Sequence, residues 1–168
     1  EARAALLHAL ATFDGNPSSP HAEGRAAKDA LEAARGEVAT ALGCRPREVV
    51  FSASGTEALN LAVRGAALAR RAVGTRIVLG AVEHPCVLQA ALALAPLGFE
   101  VVRVGVDERG RIDPQAFLAA ATPDTALACL MLVNHETGNT FPVRAVADGL
   151  AAQRIPLLVD ATLGLGRL

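Results

Sequence analysis

Apolar positions along this chain follow two rhythms, and the change from one to the other marks out the elements. Ala27, Ala30, Leu31, Ala34, Val38, Ala41 and Leu42 recur every three or four residues, while Lys28, Asp29, Glu32, Arg35 and Glu37 fall largely off that stripe. This spacing predicts an amphipathic helix, ended by Gly43. A helix is also predicted from Glu1 to about Ala11, separated from it by the turn-rich Asp14–Pro20. Beyond Gly43 the rhythm shortens. Val49-Val50-Phe51 reads as a strand of β-branched and aromatic residues feeding the helix that continues from Thr56 to the region 70–74. Strands are predicted at 76–80, 99–104, 125–133 and 155–159. Helices are predicted between them at 87–97, at 114–121 with Asp113 as its cap, and at 143–152.

Strands alternating with helices, several of the strands almost wholly apolar, predict an α/β fold in which a parallel sheet is covered on both faces. Polar residues gather directly after the putative strands: Ser54-Gly55-Thr56, Glu83-His84, Asn134-His135-Glu136 and Asp160. In open α/β sheets the loops leaving the C-terminal strand ends meet over one crevice, so all four groups can share a site. Ser54-Gly55-Thr56 allows two readings. It is either a capped strand-to-helix turn, or a turn whose free amides, at the positive end of a helix, cradle a phosphate. His84 and His135 are each either hydrogen-bonded surface histidines or site residues. Asp160, after an apolar strand, needs a cationic or hydrogen-bonded partner at that depth.

Composition narrows the function classes. With 168 residues, 52% of them hydrophobic, the chain can bury one core, and a single domain is expected. Sixteen basic and 17 acidic residues leave a formal charge of -1, which gives no general pull toward nucleic acid or an anionic membrane. Cys44, Cys86 and Cys129 show no C-x-x-C spacing, which argues against a disulfide scaffold or a structural zinc site. No metal site is expected. Charged residues interrupt every long apolar run, and a cytoplasmic location is the expectation.

Taken together, Gly15-Asn16-Pro17-Ser18-Ser19, Phe51 to Asn60, Glu83-His84-Pro85, Val133 to Gly138 and Val159-Asp160-Ala161-Thr162 resemble, in order and spacing, the cysteine desulfurases of the class V aminotransferase group. The resemblance covers nearly the whole chain. It implies the three-layer αβα architecture of fold type I pyridoxal phosphate enzymes, whose large domain is built on a mostly parallel mixed sheet and which work as homodimers. By the same resemblance, Gly55 and Thr56 match phosphate-binding positions. His84 matches the imidazole that stacks on the cofactor ring and takes part in acid–base catalysis, His135 lies where the cofactor's phenolic oxygen is met, and Asp160 matches the carboxylate paired with the pyridine nitrogen.

The chain also departs from that pattern. Ser54 stands where the family commonly has glycine, Gly55 where alanine or threonine is usual, His135 where asparagine is usual, and Leu163 where glutamine is usual. Lys28 is the only lysine and matches no part of the cofactor-lysine motif, so a covalent lysine linkage is not expected in this chain. None of the three cysteines matches the sulfur-accepting one, and Cys129 reads as a small buried hydrophobe. The expectation is therefore an incomplete large domain, lacking its C-terminal portion and the small domain. Such a chain would associate with itself or with a separately encoded C-terminal half, and would take sulfur from L-cysteine only when completed. The alternative is a non-catalytic interaction module that keeps the α/β core.

Overall fold

The computed structural model describes residues 1–166, and their packing divides the chain into two units that meet between Phe51 and Ser52. The first unit holds helix α1 (Ala2–Thr12), helix α2 (Ala22–Leu42) and a single 3-10 turn, Pro46–Glu48. No residue of α1 is buried, and Leu6, Leu7 and Leu10 are exposed. His21 opens α2 by accepting from the amide of Gly24 at 3.2 Å. Gly43 closes it in the left-handed region at φ 67°, where a side chain would be strained. Of the predicted apolar stripe only Ala27 is buried.

The strand expected at Val49-Val50-Phe51 does not form. The segment is extended at Val49, but it has no partner strand among the described residues, and Val50 is 70% exposed. The carbonyl of Val49, which a ladder would use, instead accepts from Arg35 Nη1 at 2.6 Å. The same guanidinium lies over the Phe51 ring, 4.9 Å from its centroid. Strand propensity is here spent on a cation–π contact.

The second unit opens with helix α3 (Gly55–Ala69) and continues through strand β1 (Arg76–Gly80), helix α4 (Pro85–Leu92), strand β2 (Glu100–Val104), helix α5 (Pro114–Ala120), strand β3 (Thr125–Cys129), helix α6 (Val143–Ala152) and strand β4 (Leu157–Leu158). The four strands lie in the order β2-β1-β3-β4, and all three pairings are parallel. Side chains alternate across the sheet as a period of two requires. Ile77 and Leu79 pack with Val63 and Ala67 of α3 and Val87 and Ala91 of α4. Val78, between them, packs on the other side with Phe117 of α5 and Val146 and Leu150 of α6. Helices on both faces of a parallel sheet give the α/β, three-layer arrangement.

Several predicted elements are shorter than their apolar runs. The helix expected over 87–97 stops at Leu92, because Pro96 and the left-handed Gly98 (φ 90°) turn the chain through a second 3-10 segment, Ala95–Leu97. The strand expected over 125–133 pairs as a ladder only to Cys129, and that over 155–159 only at Leu157 and Leu158. Pairing nonetheless continues beyond those ends, with Leu130 N donating to Leu158 O at 3.0 Å and Leu132 N to Asp160 O at 2.8 Å. β1 is followed by a crossover to one side of itself and β3 lies on the other. The order therefore reverses between β1 and β3, and their C-terminal loops part there to leave a crevice.

Candidate functional site

A cavity of about 340 Å³ occupies this crevice. Three strand-end loops and the start of α3 supply its walls. Gly55 and Thr56 enter from α3, His84 from the loop after β1, His135 from the loop after β3, and Asp160 from the segment after β4. All five residues singled out in the sequence thus meet at one place. Cys86, Met131, Thr162 and Leu163 complete the lining with Leu59 and Val133.

The first turn of α3 is built by its cap. Ser54 Oγ accepts from Glu57 N at 3.2 Å, and the Glu57 carboxylate reaches back to accept from Ala53 N at 2.7 Å. The amides of Gly55 and Thr56 precede the helical ladder and have no acceptor among the described residues. Gly55 does not have a positive φ, and a Cβ there would meet only Thr162 Oγ1, at an ordinary 3.7 Å. The glycine is not required by the turn. What it leaves is open space beside two free amides.

Asp160 is buried, with 8% of its surface exposed. Its Oδ1 accepts from Thr162 N at 3.0 Å and from Thr162 Oγ1 at 2.6 Å, while Oδ2 has no hydrogen bond from the described residues. A carboxylate fixed by one oxygen, with the other free beside a cavity, is arranged to hold a cationic N–H donor.

His84 caps α4. Pro85 follows it at the first helical position and has no N–H, so the first amide available is that of Cys86, which donates to His84 Nδ1 at 3.2 Å. Cys86 Sγ lies 2.9 Å from the same nitrogen. Burial, and secondarily the charge of Asp160, push the Cys86 thiol up. The rings of His84 and His135 meet edge to face, 5.0 Å between centroids at 60°. His84 is half-buried, whereas His135 is exposed.

Behind His84, Glu83 is almost wholly buried, and its carboxyl is pushed from 4.5 up to about 7, chiefly by burial. It lines a second cavity that shares His135 with the first. Asn134 fixes the loop after β3: its Oδ1 accepts from the amides of Glu136 and Thr137 at 3.0 and 2.9 Å, and its Nδ2 donates to Val82 O at 3.2 Å. This bond ties the loop that carries His135 to the loop that carries His84.

Two site residues were missed in the sequence. Cys86 had a signal in His-Pro-Cys, where proline at the first helical position turns the next residue back under the histidine. Thr162 had one in Asp-Ala-Thr, a hydroxyl two residues after an aspartate, which is the spacing of a local side-chain-to-backbone turn. Among the described residues no cluster of three or more His, Cys, Asp or Glu has metal-binding geometry. No helix among them is long and apolar enough to cross a membrane.

Known proteins resemble this arrangement over nearly all of the chain. The sequence profile of the family described as aminotransferase class-V matches residues 2–167. Cysteine desulfurase 2 of Trichormus variabilis is 38% identical over 170 residues, covering 100% of this chain and 42% of its own length. The crystal structure of DndA from Streptomyces lividans is 36% identical with a TM-score of 0.90, covering 99% of this chain and 47% of that one. The structure of SspA in complex with cysteine is 31% identical with a TM-score of 0.82, covering 88% and 42%. The chain spans about 40% of the length of the curated relatives it matches.

Proposed function

The chain belongs to the aminotransferase class-V family, among relatives of the cysteine desulfurase type, and on that premise we propose that its cavity is the cradle for pyridoxal phosphate in an enzyme that takes sulfur from L-cysteine. The observation that carries this reading is the convergence of Gly55, Thr56, His84, His135 and Asp160 on one cavity, with Asp160 buried and one of its oxygens free. Cysteine enters as substrate class by analogy with SspA, whose structure holds cysteine, and with the desulfurase relatives.

The residues present fit the cofactor. A cavity of about 340 Å³ lies within the range of small-molecule sites. The free amides of Gly55 and Thr56, at the positive end of a 15-residue helix, suit a phosphate, and the open space beside Gly55 allows close approach. Asp160 Oδ2 suits the protonated pyridine nitrogen. When bound, the cofactor supplies an electron sink for bonds breaking on an amino acid substrate.

The chain's own residues then have distinct tasks. Asp160, fixed by Thr162, keeps a negative charge in the cavity and so favours a cationic ring over a neutral one. Thr56 and the α3 amides anchor the anionic end. His84, its Nδ1 engaged by Cys86 N, is left to hold or deliver a proton at Nε2. Leu59, Met131, Val133 and Leu163 give the lining an apolar side.

Lys28, the only lysine in the sequence, is in α2, and no covalent linkage is proposed through it. We further propose that the chain is the cofactor-binding part of a large domain that functions as an oligomer with itself or a complementary segment. The cytoplasm, a reducing compartment, suits its three free cysteines.

The test is titration calorimetry with pyridoxal phosphate on the protein and on Asp160→Asn. Saturable binding, weakened about tenfold or more by the substitution and unchanged by Lys28→Ala, is expected. No binding, or binding indifferent to Asp160→Asn, overturns the assignment.

A further inference from the structure

We propose that Cys86 is a positioning residue for His84: its amide and its thiol converge on Nδ1, hold that nitrogen as an acceptor, and so keep the imidazole proton on Nε2. The geometry begins with Pro85. Lacking an N–H, it leaves the amide of Cys86 as the first donor of α4, and that amide reaches Nδ1 at 3.2 Å. The Cys86 side chain, at the second helical position, reaches back to the same atom, with Sγ at 2.9 Å.

Two arrangements of the proton are conceivable, and the structure separates them. Were Nδ1 protonated, it would donate to sulfur while facing the backbone N–H of Cys86, leaving that amide opposed to another donor. With Nδ1 bare, both Cys86 groups donate to it and every bond is made. The second arrangement needs sulfur as a thiol rather than a thiolate. Burial and the nearby Asp160 charge favour the thiol and outweigh the amides of Val87 and Cys86 and the Thr56 hydroxyl, which draw it toward the thiolate.

Cys86 is therefore a donor that orients its neighbour, in the way that the partner of one ring nitrogen selects the state of the other. A nucleophilic role would require the opposite protonation state. The consequence for chemistry rests on the proposed function, since a proton fixed on Nε2 matters most if the cavity holds a substrate. The tautomer itself does not depend on that reading.

The experiment is nitrogen-15 NMR of histidine-labelled protein, without cofactor, with His84 assigned from the signals lost in His84→Gln. In the parent, Nδ1 is expected to resonate as an unprotonated nitrogen and Nε2 as a protonated one. Cys86→Ala, which keeps the backbone amide but loses the thiol donor, should move Nδ1 toward the position of a weakly bonded acceptor. The ratio of Nε2–H to Nδ1–H should fall several-fold. Cys86→Ser, which restores a donor, should recover the parent signals, whereas a role in packing alone would treat Ala and Ser alike.

A protonated Nδ1 in the parent protein overturns the proposal without recourse to any variant. Spectra of Cys86→Ala that superimpose on the parent, or a folded Cys86→Ser that fails to recover them, overturn it too. Because no cofactor is present, these results stand apart from the pyridoxal phosphate titration, and either reading can fail while the other survives.

Discussion

The amide of Met131, just past the end of β3, donates to Glu83 Oε1 at 2.6 Å, and the other oxygen of the same carboxyl, Oε2, is buried with no partner among the described residues. One bond favours the carboxylate, while burial and the charge of Asp160 oppose it, and burial dominates. Because the carboxyl titrates near 7 when folded and near 4.5 when unfolded, the folded state binds more protons between those values. The contribution of Glu83 to stability is therefore fully present below about pH 4.5 and is lost as pH rises through about 7. The loss amounts to about 3 kcal/mol. Denaturant unfolding across this window should show the decline, and Glu83→Gln, which keeps an oxygen for Met131 N, should remove it. An equal slope in both proteins would refute the assignment.

Asp160→Asn retains an oxygen for both Thr162 donors, so unfolding free energy should change by less than about 1 kcal/mol, whereas Asp160→Ala loses both bonds and should cost about 1–3 kcal/mol. The same Asn variant should lower the titration midpoint of Glu83, since the Asp160 charge helps to raise it. Carboxyl carbon-13 shifts followed against pH measure this directly. An unmoved midpoint would mean the two carboxyls are not coupled.

At Gly55 a methyl group meets only Thr162 Oγ1 at 3.7 Å, and the residue lies in the first turn of a helix. Gly55→Ala should therefore leave stability unchanged or raise it by about 0.4–1 kcal/mol. Binding of inorganic phosphate and pyridoxal phosphate should be little changed, because the methyl has room and both amides stay in place. Thermal unfolding and calorimetry together check the two expectations. A marked loss of stability would make the glycine structural.

Arg154 is the one non-glycine residue with positive φ among those described, at 59°. It terminates α6 in a Schellman arrangement, with Arg154 N donating to Ala151 O and Ile155 N to Leu150 O, both at 3.0 Å. Glycine is favoured at that position, so Arg154→Gly should stabilise by up to about 1 kcal/mol. The hydrogen bond from the Arg70 side chain, Nη2, to Arg154 O, at 3.0 Å, survives the change. A lower melting temperature would show that the arginine side chain contributes more than its backbone strain removes.

The sequence made the layers and the site legible for one reason: both are written in local alternation. Val143–Ala152 was delimited by its own periodicity, and the polar residues after each apolar run were brought together by topology alone. The failures are tertiary. Val49-Val50-Phe51 has the composition of a strand but no neighbour among the described residues to pair with, and nothing nearby in sequence announces that Arg35 takes its carbonyl. The early stop of α4 was signalled by Pro96 and Gly98, but the apolar run concealed it. Glu83 stood out only as a polar residue after a strand; its raised pKa comes first from burial, with the charge of Asp160 adding to it and the bond from Met131 N opposing it, and these contacts are remote in sequence. The His84–Cys86 contact was readable in principle, because it is set by a single proline.

The strand order β2-β1-β3-β4 also bears on how the chain comes to be folded during synthesis. β1 leaves the ribosome ahead of both its partners, and the one that seals its second side, β3, begins only at Thr125. At roughly 5–20 residues per second this interval lasts several seconds. Throughout it the described strands form at most a two-stranded parallel ribbon, too little sheet to persist unaided. Its open margin is the backbone of Ile77, Val78 and Leu79, all fully buried in the finished protein. The central strand that organises the cavity is thus also one whose edge stays open for part of synthesis, when pairing with other chains competes with its own partners.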